Sequence, residues 1–310
     1  TASGIAAVLS TSDPDITIKQ DTVSFNSSMQ VGEYRFSDSS FVVQDNGIER
    51  SVPFTLNITS AEGAWTDSFQ ITVRDAFPGP APVNTMLNTD ASGTAGSFKP
   101  QISSDDNGGI YVVWEENRTG NKDIYFNYSL DYGITWHTDR RLDTTDLADS
   151  TNPKVSSDIN GNVYVVWCED NSGRSDIHFN YSSDFGITWQ ETDTRIDTSD
   201  SANSLKPMIE SDNSGNVYLA WHNEEGGNFD IYFNNSSDYG LSWRPTGDLR
   251  IDNDLTGTAN SMSPRITASN AGDVYIVWED NRNGFNDIYV NYSVDSGATW
   301  ENVDIRIDTL

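Results

Sequence analysis

Ser129 and Asp131 lie two residues apart and are followed by Gly133 and Trp136. A hydroxyl beside a carboxylate is raw material for nucleophilic or acid–base chemistry. The pattern returns as Ser182, Asp184, Gly186 and Trp189, as Ser236, Asp238, Gly240 and Trp243, and as Ser293, Asp295, Gly297 and Trp300. One active centre needs one of each group, so four copies in register point to a building device. Gly permits a tight turn, Asp can bind the turn's backbone N–H groups, and Ser can support it. Trp brings apolar area to the side of a sheet. Tyr132, Phe185, Tyr239 and Ser296 vary within the pattern and are expected to face solvent.

Other reactive types are weaker candidates. Cys168, the single cysteine, follows Trp167 in an apolar run and is expected to fill core. His137, His178 and His222 show no ligand spacing, so a zinc site is not expected. No cofactor is required by any motif. Asp143, Asp146 and Asp149 offer hard oxygen atoms that suit calcium, although their spacing matches no EF-hand. Sequons at Asn26, Asn57, Asn117, Asn127, Asn180, Asn234, Asn235 and Asn291 are candidate glycosylation sites.

The elements that carry these residues repeat. Trp114, Trp167, Trp221 and Trp278 are spaced 53, 54 and 57 residues apart, and Pro100, Pro153, Pro207 and Pro264 keep the same intervals. Each copy holds a strand after the proline, an apolar strand such as IYVVW, an alternating strand such as DIYFNYS, the S-x-D-x-G-x-(T/S)-W turn and a short strand ending in RLD or RID. Four short antiparallel strands per unit, repeated, is the pattern of propeller blades. The fold class is therefore all-β: four β-propeller blades, preceded by an immunoglobulin-like β-sandwich that the separate strand-like runs of residues 1–80 imply. Residues 81–97 read as a Pro-rich linker and connector strand. Residues 98–310 read as blades at about 98–143, 151–197, 205–252 and 262–308. The chain opens at Thr1 and reads as a mature or trimmed fragment.

Of 310 residues, 47 are Asp or Glu and 18 Lys or Arg, a formal charge of −29. Such a surface repels nucleic acid and anionic lipid, which sets both aside as partners. No run approaches the ~20 apolar residues of a membrane-spanning helix, so no membrane insertion is expected.

The repeated turn resembles the Asp-box, or BNR repeat, of sialidases and other secreted propeller proteins. The resemblance covers roughly the last two-thirds of the chain. In that family the boxes lie at hairpin turns on the blade periphery, so Asp131, Asp184, Asp238 and Asp295 would be turn staples, away from the central site. The N-terminal phrases LSTSDPDITI and PFTLNITSAEGAWTDSFQITV resemble immunoglobulin-like accessory domains of secreted and surface proteins. Sialidases use three arginines, a tyrosine–glutamate pair and an aspartate, which converge and should break the repeat. Here Arg141, Arg195, Arg250 and Arg306 follow it, as do Arg118 with Arg282. Arg265 stands alone, with counterparts Gln101, Lys154 and Met208. Tyr125, Tyr232 and Tyr289 recur, with His178 in their place in the second copy.

These features lead to an expected secreted or cell-surface, non-catalytic module for binding, adhesion or assembly. Its partners would be glycans, other extracellular proteins or further copies of itself through open strand edges. A sialidase-like glycoside hydrolase, an accessory region of a larger secreted enzyme such as a peptidase, and a filament or surface-layer subunit are the alternatives.

Overall fold

The computed structural model describes residues 5–12, 16–20, 22–25, 42–45, 50–60, 63–73, 85–90, 94–143, 148–171, 173–198, 202–225, 227–255 and 257–308. The chain divides into two compact units, Thr1–Val83 and Asn84–Leu310.

In the first unit the strands are β1 (Ile5–Thr11), β2 (Ile16–Gln20), β3 (Thr22–Phe25), β4 (Val42–Asp45), β5 (Arg50–Ser60) and β6 (Gly63–Val73). One four-stranded antiparallel sheet runs β3-β1-β5-β6, and β2 pairs with β4. Ala7 and Leu9, two residues apart on β1, are buried, as is Phe54 of β5. An immunoglobulin-like sandwich needs two full sheets. Among the described residues there is one four-stranded sheet and one strand pair, and an immunoglobulin-like sandwich is not shown.

The second unit repeats one device. Its first blade is β7 (Ser97–Ser104), β8 (Ile110–Glu116), β9 (Asp123–Ser129) and β10 (Arg140–Arg141). The second is β11 (Asp149–Ser157), β12 (Val163–Asp170), β13 (Ser175–Ser182) and β14 (Thr194–Arg195). The third is β15 (Asn203–Ser211), β16 (Val217–Glu225), β17 (Asn228–Ser236) and β18 (Leu249–Arg250). The fourth is β19 (Ser261–Ala268), β20 (Val274–Asp280), β21 (Asp287–Ser293) and β22 (Ile305–Arg306). Each is an antiparallel meander in sequence order.

Strand alternation builds the joints between blades. One face of β8 and β9 supplies Tyr111, Val113, Ile124 and Phe126, which meet Val163, Val165 and Trp167 of β12. The other face of β12, with β13, supplies Tyr164, Val166, Cys168, Ile177 and Phe179 to Val217, Leu219 and Trp221 of β16. Tyr218, Ala220, Ile231 and Phe233 meet Val274, Ile276 and Trp278 in the same way. The strands are apolar on both faces because both are covered. Cys168 is core at the second joint, and burial pushes its thiol up to about 12, far from a reactive thiolate.

Candidate functional site

The Asp-boxes are closed hydrogen-bond knots. Ser129 Oγ donates to Asp131 Oδ1 at 2.8 Å and accepts from Gly133 N at 2.8 Å. Asp131 accepts from Thr135 N at 2.8 Å and Thr135 Oγ1 at 2.6 Å. The other three copies repeat these bonds. The Thr299 hydroxyl and backbone N–H hold Asp295 down at about 2, so this carboxylate has no proton to give near neutrality.

Trp189, Trp243 and Trp300 set their rings edge-on to Phe126, Phe179 and Phe233 of the preceding blade, at 4.8–4.9 Å between centroids. The variable residue is not simply solvent-facing. Tyr132 and Tyr239 are exposed, yet their rings also cover Gly108 and Gly215, 2.7 and 2.6 Å from where a Cβ would stand.

The inner strands β7, β11, β15 and β19 differ from copy to copy. In each, the pairing slips just before the proline's successor, at Phe98/Gln101, Thr151/Lys154, Leu205/Met208 and Met262/Arg265. Lys99, Asn152, Lys206 and Ser263 sit in these bulges with φ of 48–56°. A bulge re-aims the side chains next to it. Here it brings Lys154, Lys206 and Arg265 from three blades to one cavity of about 200 Å³, with Asn152, Met208 and Ser263.

None of those three cations makes an ion pair among the described residues. Lys154 Nζ donates to Pro153 O, Lys206 Nζ to Ser263 Oγ, and Arg265 to Pro264 O. They act on one another instead. Burial, then Arg265 and Lys99, pull the Lys154 ammonium below its usual range. Burial and Lys206 push His222 down to about 4. Unpaired cations beside each other, in a chain of charge −29, are an arrangement whose chemistry suits an anion.

Farther along the same strands lies a cavity of about 490 Å³, lined by all four blades. Glu210 of β15 opens into it, two residues beyond Met208 and so about 7 Å along the strand. No hydrogen bond or ion pair holds Glu210 among the described residues, and burial alone pushes its carboxyl up to about 7. Its counterparts are Ser103, Ser156 and Thr267. Asp106, which replaces Ile159, Asn213 and Asn270 of the other copies, lines the same cavity. Sequence reasoning singled out Arg265 by comparing copies, with Lys154 only as its counterpart, and missed Glu210; the same comparison, carried two residues on, would have found it.

The repeated arginines are structural. Arg141 pairs with Asp123 and Asp143, Arg195 with Asp176 and Asp197, Arg250 with Asp230 and Asp252, and Arg306 with Asp287 and Asp308. Arg118 and Arg282 lie over Tyr125 and Tyr289, 4.0 and 4.2 Å from the ring centres. Of the calcium set, Asp143 is taken by Arg141 and Ile124 N, Asp149 accepts from Lys122 N, and Asp146 lies outside the described residues.

Four sequons need correction. Asn127, Asn180, Asn234 and Asn291 are buried, and their side-chain amides donate to Leu87 O, Gln190 O, Asp248 and Glu301 O. A glycan has no room there. Asn235 donates to Ser296 O, Asn57 accepts from Thr66, Asn117 is exposed, and Asn26 lies outside the described residues.

Four meandering sheets carrying Asp-box turns define a sialidase-type β-propeller architecture. The chain belongs to the BNR repeat-like domain family, whose model matches residues 108–307. No curated protein matches the chain. Among solved structures, it is similar to a Dyadobacter fermentans protein of unknown function (13% identity, 69% of this chain and 69% of that chain, TM-score 0.51). It is similar to a Penicillium chrysogenum α-L-arabinanase complexed with arabinobiose (16% identity, 68% and 66%, TM-score 0.51). It is also similar to a leech intramolecular trans-sialidase complexed with 2,7-anhydro-Neu5Ac (10% identity, 99% and 75%, TM-score 0.51). The chain spans about two thirds of the first two structures' length. The expected non-catalytic binding, adhesion or assembly module is thereby overturned: two of these similar structures are named for enzymes, an arabinanase and a trans-sialidase.

Proposed function

We propose that the blades carry the substrate site of a sialidase-like glycoside hydrolase acting on a sugar that bears a carboxylate. One observation carries this reading: Lys154, Lys206 and Arg265 converge unpaired on one axial cavity. Such a group would hold the substrate's carboxylate and fix its orientation. Glu210, farther along the same strand, would give the glycosidic oxygen its proton. A carboxyl near 7 is half protonated at neutral pH and suits that task. Of the other carboxylates on the cavity, Asp105 and Asp158 accept from Tyr111 and Tyr164, which leaves Asp106 as the partner carboxylate that glycoside hydrolysis requires. A secreted or cell-surface location suits a substrate of this kind. An immunoglobulin-like role for the first unit would be that of an accessory domain.

The test is turnover of fluorogenic sialosides and glucuronides, with calorimetric titration of free sialate and glucuronate. Saturable release is expected, falling by at least about 100-fold in Glu210→Gln with affinity largely kept. An absence of both turnover and binding would sink the proposal.

A further inference from the structure

A second site stands in blade two; its residues line neither axial cavity, and it is independent of the reading above. It emerges from comparing one place in all four blades. In blade one, Arg118 bridges the carboxylates of Glu116 and Asp139. In blade four, Arg282 bridges Asp280 and Asp304, at 2.6 and 2.8 Å. Blade three has Asn223 where the first acid would be, so Asp248 alone remains, and it takes its hydrogen bonds from Thr198 and Asn234. Blade two keeps both acids, Glu169 and Asp193, yet Asn171 stands where the arginine should be.

His178 fills that gap from the strand position that is tyrosine in the other copies. Its Nδ1 lies 3.0 Å from Asp193 Oδ2 and 3.6 Å from Glu169 Oε2. One donor atom from each of the three residues falls within 4.8 Å of the others. Donors around a tetrahedral ion with bonds of ~2.1 Å stand about 3.4 Å apart, so the spacing fits with small adjustments. A second observation comes from the tryptophan. Trp114 and Trp278 give their indole N–H to the first acid of their own blades, at 2.6 and 3.1 Å. The buried Trp167 indole N–H has no such partner. Glu169 instead accepts from Asn171 Nδ2 at 3.1 Å through Oε1 and turns Oε2 toward His178.

We propose that Glu169, His178 and Asp193 bind one divalent transition-metal ion, the cation that takes the place of the arginine in blades one and four. The set offers one imidazole nitrogen and two carboxylate oxygens, which suits zinc, cobalt or manganese better than calcium. A proton on His178 is the competing cation, opposed by burial but favoured on balance by Asp193 and Glu169. Metal binding would release that proton.

The full chain is titrated with Co²⁺ and Zn²⁺, by visible absorption and calorimetry, in excess Mg²⁺ to occupy surface carboxylates. One equivalent is expected to bind at pH 7.5. It is lost in His178→Tyr, which installs the residue of the other blades, and in Asn171→Arg, which restores the arginine. Circular dichroism checks that each variant is folded, and either one suffices. Absence of stoichiometric binding by the native chain, or binding retained in a folded variant, would overturn the assignment.

Discussion

Glu210 shows what one residue can carry. Its carboxyl is raised to about 7 by burial, against an ordinary value near 4.3 in the unfolded chain. Between those values the folded state holds the extra proton, so stability falls as pH rises through that window. Glu210→Gln removes the effect. At pH 8 the variant is expected to be more stable than the native chain by about 1–2 kcal/mol, and at pH 4 nearly equal. Urea denaturation at both pH values checks the sign. The same variant should be the less active one, the pattern of a site that trades stability for chemistry. The cations make a separate prediction. Arg265→Gln and Lys206→Met should raise KM for a carboxylate-bearing substrate about tenfold or more while changing kcat less, because they hold the ground state and the transition state alike. A change confined to kcat would contradict that role.

The Asp-box turns show how far an element is legible in its sequence. Ser, Asp, Gly and Trp at fixed spacing identify a stapled turn, and the hydrogen bonds are those expected of such residues. Alternation along DIYFNYS likewise identifies a strand. The blade joints were not legible, because they depend on which face meets which neighbour. The glycines make this concrete. Gly133 and Gly240 have similar φ, 85° and 83°. At Gly133 the nearest atom to an added Cβ is Ile110 Cδ1 at 3.4 Å, whereas at Gly240 Phe179 of the preceding blade stands at 2.7 Å. Gly133→Ala should therefore cost only the backbone strain, about 1 kcal/mol. Gly240→Ala should cost about 2–4 kcal/mol, since a ring wedged into a packed joint must also move. Equal losses in chemical denaturation would refute the distinction. The axial bulges lay between these extremes. Comparing Gln101, Lys154, Met208 and Arg265 singled out the right strand position, but only the fold placed Lys206 and Glu210 beside it.

At the scale of the whole blade unit, the joints run in series and the last face differs from the rest. Tyr164 and Tyr218 are fully buried at the second and third joints, while their counterpart Tyr275 is 42% exposed. Ile288, Ile305 and Ile307 on the fourth blade are exposed as well. The sequence cannot announce this, because the fourth copy has the same residue types as the buried ones; exposure depends on what stands next to it. The consequence is a graded response to one substitution. Tyr218→Ala removes a fully buried ring and the hydroxyl bonded to Asp212 at 3.0 Å, and should cost about 3–5 kcal/mol. Tyr275→Ala removes a ring already half in water, stacked on Tyr292 at 5.8 Å, and should cost about 1 kcal/mol or less. Urea midpoints of the isolated chain measure both. Should Tyr275→Ala prove as costly as Tyr218→Ala, the fourth face must be covered in solution, and a drop in particle mass on diluting the native chain would then show whether a second copy covers it.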